Sequence, residues 1–127
     1  MNAPARKRIL IVDDEPEILA LLQEHLGANY DIDTAADGVI AIERMRVHRP
    51  DLIFLDIHMP RMGGLDVLKM VRQIDPTISV VMITANADNA VAADAVKSGA
   101  LSYVPKPFDF RYLDHVLAVG LSGRRRP

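Results

Sequence analysis

The chain has 127 residues, a net charge of −2 and no cysteine. Its length suits one domain with a sizeable core, and its near-neutral charge gives no general case for nucleic-acid or membrane binding. The absence of cysteine excludes disulfides and thiolate metal sites. The early apolar run Ile9–Val12 is too short for a signal peptide or a membrane span. We therefore expect a cytoplasmic protein.

Five short runs with strand character are spaced along the chain. The runs are Arg8–Val12, Asp31–Ala35, Leu52–Leu55, Ser79–Ile83 and Ser102–Val104. The first, third and fourth are almost continuously apolar, which is typical of strands that are covered on both faces. The second alternates acidic residues with Ile and Thr, which indicates an edge strand with one wetter face.

Helical patterns follow each of these runs. The first helix begins near Pro16 and ends at Gly27, Asp37 can cap the second helix, and the third stops before Pro76. The fourth, about Ala87–Ser98, is rich in alanine and has few large apolar anchors. The apolar stripe of the first helix contains Ile18, Leu21, Leu22 and Leu26, and that of the second contains Ile42 and Met45. The third helix has a stripe of Leu65, Leu68, Val71 and Ile74. The fifth is marked by Leu113, Val116, Leu117 and Gly120.

Strict alternation of strands and helices predicts an α/β fold with a parallel sheet and helices on both faces. Five units are too few for a barrel, which needs eight. They fit a doubly wound, flavodoxin-like sheet with strand order 2-1-3-4-5. Ligands of such sheets bind beyond the carboxyl ends of the strands.

The chain ends carry basic runs, Arg6–Arg8 and Arg124–Arg126, which we interpret as solvated. We predict a flexible N-terminal arm at residues 1–7, one domain at residues 8–121, and a basic tail or the start of a linker at residues 122–127. The sequence leaves open whether the chain is complete or part of a longer protein.

Polar residues stand at the predicted carboxyl ends of four strands. Asp13 and Asp14 follow the first strand, Asp56 the third and Thr84 the fourth, and Lys106 lies just beyond the fifth. These four strands are successive neighbours in the predicted sheet. We therefore expect the five side chains to converge on one cleft.

This set of groups suits phosphoryl transfer. Three neighbouring carboxylates repel one another unless a cation joins them, and Mg²⁺, or Mn²⁺ as an alternative, prefers such oxygen ligands. A carboxylate can attack phosphorus to form an acyl phosphate. An ammonium group and a hydroxyl, here Lys106 and Thr84, can neutralise the phosphoryl oxygens.

Each residue also has a structural interpretation. Asp13 and Asp14 could cap the first helix. Thr84 is a common strand or capping residue, and Lys106 could be a solvated loop lysine. A structural role is harder to assign to Asp56, because a carboxylate beside a buried strand is costly without compensation.

Four motifs together resemble the receiver domain of two-component response regulators. They are Ile9–Glu15 (ILIVDDE), Asp51–Gly64 (DLIFLDIHMPRMGG), Ile83–Ala85 (ITA) and Tyr103–Phe108 (YVPKPF), in that order and at that spacing. The resemblance covers Arg8–Leu121, nearly the whole chain.

The resemblance implies that Asp56 accepts a phosphoryl group from a phosphohistidine on a sensor histidine kinase or a phosphotransfer protein. It implies that Asp14 and Asp56 bind Mg²⁺ together with the backbone carbonyl of His58. Asp13 would hold a coordinated water or assist the metal directly. The phosphorylated protein would signal to a downstream effector or a fused output domain.

The resemblance also assigns the remaining site residues. Thr84 and Lys106 would contact the phosphoryl oxygens, and the Lys106–Pro107 bond would be cis, which X-Pro bonds tolerate. Tyr103 would be the switch aromatic that turns inward as Thr84 moves, although an ordinary half-buried tyrosine is an alternative. The change would reach a surface made by the fourth helix, the fifth strand and the fifth helix.

His58 and Asn86, each two residues beyond a site residue, would flank the phosphoryl group and influence its lifetime. We expect His58 to be a solvent-facing loop residue, and side-chain metal binding or a relay role is the alternative. A homodimer on phosphorylation is an option, and we expect no direct binding of nucleic acid or membrane by this domain.

Two other function classes are alternatives. A phosphatase of the haloacid dehalogenase type also uses a strand-end Asp and Mg²⁺, but it requires a second Asp where His58 stands. The other class is an interaction module that is not phosphorylated. The leading hypothesis is a signalling switch that catalyses its own phosphorylation and dephosphorylation, not a turnover enzyme.

Overall fold

The computed structural model describes residues 6–85 and 89–122. Strands and helices alternate strictly in this part of the chain. In chain order the elements are β1 (Arg8–Val12), α1 (Pro16–Leu26), β2 (Asp31–Ala35), α2 (Gly38–Val47), β3 (Leu52–Asp56), α3 (Gly64–Ile74), β4 (Ser79–Ala85), α4 (Asn89–Lys97), β5 (Ser102–Lys106) and α5 (Phe110–Ser122).

The sheet confirms the predicted fold class. Its five strands are parallel and follow the order β2-β1-β3-β4-β5. The strand with alternating acidic residues, β2, lies at the edge as predicted. The register places Asp56 opposite Ile83, and Ala85 opposite Lys106. The carboxyl ends of β3, β4 and β5 therefore lie side by side.

Helices cover both faces of the sheet because successive strand residues point to opposite sides. One core cluster joins Leu10 and Val12 to apolar residues of α2, α3 and α4. The other joins Ile9 and Ile11 to residues of α1 and α5. In the central strand β3 every residue is buried, which explains its continuous apolar sequence.

Three strands are longer than the sequence predicted. β3 continues to Asp56, β4 to Ala85 and β5 to Lys106. Backbone pairing extends this far because the neighbouring strands supply partners, as in the hydrogen bond from Ile57 N to Ile83 O (2.9 Å). The polar site residues of these strands are thus held by the sheet itself, at or next to the last paired positions.

Helix α4 covers Asn89–Lys97, against the predicted Ala87–Ser98. The predicted start lies at residues 86–88, outside the described part of the chain. Gly99 follows the helix with a left-handed φ of 113°, a conformation that favours glycine. In α1, Leu21 belongs to the predicted apolar stripe but is 41% exposed, because the fully buried residues of the helix are Leu22 and Leu26.

Arg6, in the predicted N-terminal arm, contacts the domain. Its guanidinium donates hydrogen bonds to the carbonyls of Gly27 (2.9 Å) and Tyr30 (3.0 Å). Carbonyl groups at a helix end lack helical partners, so Arg6 satisfies acceptors near the end of α1. Residues 1–5 and 123–127, which include the predicted Arg124–Arg126 run, lie outside the described residues, and the domain boundaries stay predictions.

Among the described helices, none has both the length and the apolar character that a membrane crossing requires.

The start of α3 packs tightly against the end of β3. A Cβ atom on Gly64 would collide with the carbonyl oxygen of Asp56 and lie 2.8 Å from Ile57 Cα. We expect Gly64→Ala to lower the free energy of unfolding by about 1–3 kcal/mol, because neither backbone group can move without disturbing the strand. Urea denaturation measures this loss.

The neighbouring Gly63 provides a matched control. Its added Cβ would meet only the Ile57 carbonyl oxygen, at 3.6 Å, an ordinary contact. Gly63→Ala should therefore change stability much less than Gly64→Ala. Equal stability losses in the two variants would contradict the steric explanation.

Candidate functional site

A cluster of three carboxylates lies at the carboxyl end of the sheet. Asp13 follows β1, and Asp56 is the last residue of β3; they are 0% and 4% exposed. Asp14 is exposed. One oxygen from each lies within 4.8 Å of the others, and among residues 6–85 and 89–122 no other such group of metal-binding side chains is found.

Hydrogen bonds fix both the backbone and the side chain of Asp13. Its backbone N–H donates to Ala35 O (3.1 Å), and its Oδ1 accepts the backbone N–H of Glu15 (2.8 Å). The N-cap of α1 is Glu15, whose side chain makes no capping hydrogen bond. Neither Asp13 nor Asp14 is therefore the N-cap, and the structural interpretation of these two residues as caps is wrong, because the residue directly before Pro16 is Glu15.

The second oxygen of Asp13 is the unusual atom of the cluster. Asp13 Oδ2 is buried and accepts no hydrogen bond from the described residues. It lies 3.1 Å from the Nζ atom of Lys106, an ionic contact without hydrogen-bond geometry. A buried oxygen of this kind is costly unless a cation completes its surroundings.

Asp56 has few compensating contacts. Its Oδ1 accepts the backbone N–H of His58 at a long 3.3 Å, and its Oδ2 lies 4.0 Å from Lys106 Nζ. The carboxylate is thus buried and only weakly paired, which leaves it available to another group.

The shortest contact of Lys106 is with a residue that the sequence motifs do not assign to the site. Its Nζ donates a hydrogen bond to Glu15 Oε1 at 2.7 Å. The two residues are 91 positions apart, and β1 and β5 are not neighbouring strands. An acid directly after the Asp13-Asp14 pair was the available signal, because a third carboxylate at this sheet edge lies within reach of a lysine there.

Burial and mutual repulsion make the two buried acids hard to ionise. Burial raises the pKa of Asp13, and the Glu15 N–H and Lys106 offset this only in part. Burial and the charge of Asp13 raise the pKa of Asp56 to about 7, against the lowering effect of Lys106. Burial lowers the pKa of Lys106, but its hydrogen bond to Glu15 and its ionic contacts with Asp13 and Asp56 outweigh that effect, so the net shift is upward.

Thr84 follows Ile83, which pairs with Asp56, on β4, and Tyr103 lies on β5 opposite Met82. Thr84 is 2% exposed, and its Oγ1 donates to the carbonyl of Ala85 (3.2 Å) instead of to a site carboxylate. Tyr103 is partly buried against the core, and its carbonyl accepts the Tyr112 hydroxyl (3.3 Å). Among the contacts of the described residues, neither side chain is joined to the carboxylate cluster.

The remaining predicted residues are located as follows. His58 is exposed in the loop after β3, as the sequence predicted. The Lys106–Pro107 peptide bond is cis. Asn86 lies outside the described residues.

The residues present fit a small divalent cation. All three clustered groups are carboxylates, the ligands that Mg²⁺ prefers. Asp13 Oδ2 lacks a hydrogen bond, and the ionised form of Asp56 lacks a close counter-charge. A cation would satisfy both.

Comparisons with known proteins agree on one family. The model of the response regulator receiver domain matches residues 9–118. The chain is 39% identical over 106 residues to the alkaline phosphatase synthesis transcriptional regulatory protein PhoP of Bacillus subtilis, covering 83% of this chain and 44% of PhoP. It is 35% identical over 104 residues to the chemotaxis protein CheY of Thermotoga maritima, covering 80% of this chain and 87% of CheY.

Solved structures agree with the sequence comparison. The receiver domain of NtrX from Brucella abortus superposes with a TM-score of 0.88 at 32% identity, covering 91% of this chain and 99% of that domain. The chain belongs to the receiver domain family of two-component response regulators. This membership leaves the haloacid dehalogenase alternative without support. The chain spans less than half the length of several curated relatives that it matches.

Proposed function

We propose that this receiver domain accepts a phosphoryl group on Asp56, with Mg²⁺ as cofactor. The observation that carries the proposal is the buried, weakly paired Asp56 carboxylate, clustered with Asp13 and Asp14 and 4.0 Å from Lys106. The donor would be a phosphohistidine of a sensor histidine kinase or a phosphotransfer protein.

The transfer step follows from the chemistry of the groups. A carboxylate oxygen of Asp56 bonds to phosphorus while the P–N bond of the donor breaks, and the electron pair leaves on the imidazole nitrogen. Lys106 and Thr84 donate hydrogen bonds to the phosphoryl oxygens that carry the developing charge. Mg²⁺, when bound, supplies the positive charge that keeps the carboxylates ionised and neutralises phosphoryl oxygens.

The metal ligands in this proposal are Asp14, Asp56 and the backbone carbonyl of His58. Asp13 would orient a coordinated water or assist directly. Its buried Oδ2 supports this assignment, because it has no hydrogen bond of its own. Mn²⁺ would bind to the same oxygen ligands.

Thr84 and Tyr103 form the switch in this proposal. The hydrogen bond of Thr84 Oγ1 to Ala85 O is local and long at 3.2 Å, so a phosphoryl oxygen can replace the carbonyl as its acceptor. Movement of Thr84 leaves space that Tyr103 fills. The surface formed by α4, β5 and α5 then changes, and the two small buried residues Ala92 and Ala95 are compatible with a movable α4.

The same site would release its own phosphoryl group by hydrolysis, so the protein acts as a switch and not as a turnover enzyme. His58 and Asn86 would influence the rate of that release. A downstream effector or an output domain would read the switch, with dimerisation on phosphorylation as one form of output. A cytoplasmic location and the absence of direct nucleic-acid and membrane binding belong to the same proposal.

The test is phosphorylation by a small donor. Incubation with acetyl phosphate and Mg²⁺ should add one phosphoryl group to the intact mass, and chelation of Mg²⁺ should prevent it. Asp56→Asn should abolish the adduct, because the amide is not a nucleophile toward phosphorus.

Asp51→Asn is the matched control at the opposite end of the same segment. Asp51 is exposed and accepts the Arg8 backbone N–H at 2.8 Å, a bond that the Asn side-chain oxygen can keep. This variant should be phosphorylated as the wild type is. No adduct from any small donor would support the unphosphorylated interaction module instead.

A further inference from the structure

Lys106 faces three carboxylates at unequal distances. Its Nζ lies 2.7 Å from Glu15 Oε1, 3.1 Å from Asp13 Oδ2 and 4.0 Å from Asp56 Oδ2. Only the contact with Glu15 has hydrogen-bond geometry. In the unphosphorylated protein the ammonium group is therefore hydrogen-bonded to Glu15 and only within ion-pair distance of the acceptor carboxylate.

This arrangement has a consequence if Asp56 is the phosphoryl acceptor, and the inference rests on that proposed function. Lys106 has three N–H groups, but Glu15 holds its Nζ 4.0 Å from Asp56 Oδ2, so movement of Nζ toward a phosphoryl oxygen lengthens or breaks the bond to Glu15. The lysine side chain is 18% exposed and that of Glu15 is 56% exposed. Pairs that reach into solvent are weak, so the exchange is feasible.

We propose that Glu15 is a positioning residue: it binds the Lys106 ammonium group next to Asp56 in the unphosphorylated protein and competes with the phosphoryl group for Lys106. The competition has two parts. The hydrogen bond to Glu15 draws Lys106 Nζ away from the phosphoryl oxygen, and the negative charge of Glu15 opposes the arriving anion. Both parts favour the unphosphorylated state.

Glu15→Gln tests the competition. Glutamine keeps the length of the side chain and its acceptor oxygen but removes the charge, so Lys106 is held less firmly. Beryllofluoride, a mimic of the bound phosphoryl group, should bind the Mg²⁺-saturated variant about two- to fivefold more tightly than the wild type, as expected for loss of one exposed charge pair. Titration followed by amide NMR signals measures the affinity.

Glu17→Gln is the matched control for charge. Glu17 lies in the first turn of the same helix, is exposed, and makes no ion pair with Lys106. Its substitution changes the net charge equally, yet beryllofluoride affinity should stay at the wild-type value. Equal tightening in both variants would show a general charge effect and would overturn the inference.

A second readout follows the lysine itself. In the absence of beryllofluoride, Glu15→Gln should shift the NMR signals of the Lys106 side-chain ε-methylene and ammonium groups, whereas Glu17→Gln should leave them unchanged. Unshifted Lys106 signals, or unchanged beryllofluoride affinity in Glu15→Gln, would overturn the role of Glu15 while leaving Asp56 as the acceptor. Failure of the wild type to bind beryllofluoride at all would instead contradict the proposed function.

Discussion

Asp56→Asn should stabilise the metal-free protein at pH 8 by about 2–4 kcal/mol, although it removes the proposed acceptor. In the wild type, burial and the charge of Asp13 raise the pKa of Asp56 to about 7. The ionised carboxylate is therefore unfavourable in the folded state, and a tenfold change in acidity corresponds to about 1.4 kcal/mol. The neutral amide removes this cost.

The effect has a defined pH dependence. The carboxyl group of Asp56 has a higher pKa in the folded protein than in the unfolded chain, so the folded protein binds more protons between about pH 4 and pH 7. The free energy of unfolding of the wild type should fall as pH rises through this window. Above about pH 7 it should stay at the lower value, because Asp56 is then ionised in both states. The advantage of Asp56→Asn should accordingly shrink from pH 8 to pH 5.

Urea denaturation in the presence of EDTA at pH 5 and pH 8 measures both effects. Asp75 provides a control of opposite sign, because hydrogen bonds from Thr77 and the charge of Arg49 lower its pKa. Its ionised form stabilises the fold at neutral pH, so Asp75→Asn should destabilise the protein at pH 8. An Asp56→Asn variant that is less stable than the wild type at pH 8 would contradict the repulsion described for the cluster.

Mg²⁺ binding should offset the destabilisation of the folded state that the ionised carboxylate cluster causes. A ligand that binds only the folded state at one hundred times its dissociation constant adds about 2.7 kcal/mol to the free energy of unfolding. We expect a gain of this size for the wild type at pH 8. The gain should be smaller at pH 5, where Asp56 holds a proton that competes with the metal.

Asp14→Asn should remove most of this gain, because Asp14 supplies one of the three clustered carboxylates. Thermal unfolding with a Mg²⁺ titration measures the gain, and Ca²⁺ serves as a comparison of ion size. Glu17→Gln, an exposed acid on α1, should retain the full gain. An equal response of Asp14→Asn and Glu17→Gln to Mg²⁺ would indicate general screening of negative charge instead of a site.

The architecture could be predicted from the sequence because two simple patterns indicate the strands and their places in the sheet. Continuous apolar runs marked the strands that helices cover on both faces, and the acidic alternation at Asp31 and Asp33 marked the edge strand. The site was predictable for a related reason. Parallel strands end at the same edge of a sheet, so polar residues that follow apolar runs, such as Asp13 and Asp56, come together.

Other features depend on contacts between distant segments, and local sequence patterns do not specify which distant residues meet. The bond between Glu15 and Lys106 crosses from the end of β1 to the end of β5. Arg6 belongs to a basic run that is typical of solvated tails, yet it satisfies carbonyls after α1. Periodicity placed Leu21 on the apolar stripe of α1, but it does not report how a helix is rotated against the sheet.

The position of the phosphoryl group tests the central claim most directly. Borohydride reduces an acyl phosphate of aspartate to homoserine, so the phosphorylated protein should carry homoserine at position 56 when its peptides are sequenced by mass spectrometry. Unphosphorylated protein treated in the same way should keep Asp56 unchanged. Homoserine at another aspartate, or a phosphoryl group that resists reduction on a histidine such as His58, would contradict Asp56 as the acceptor.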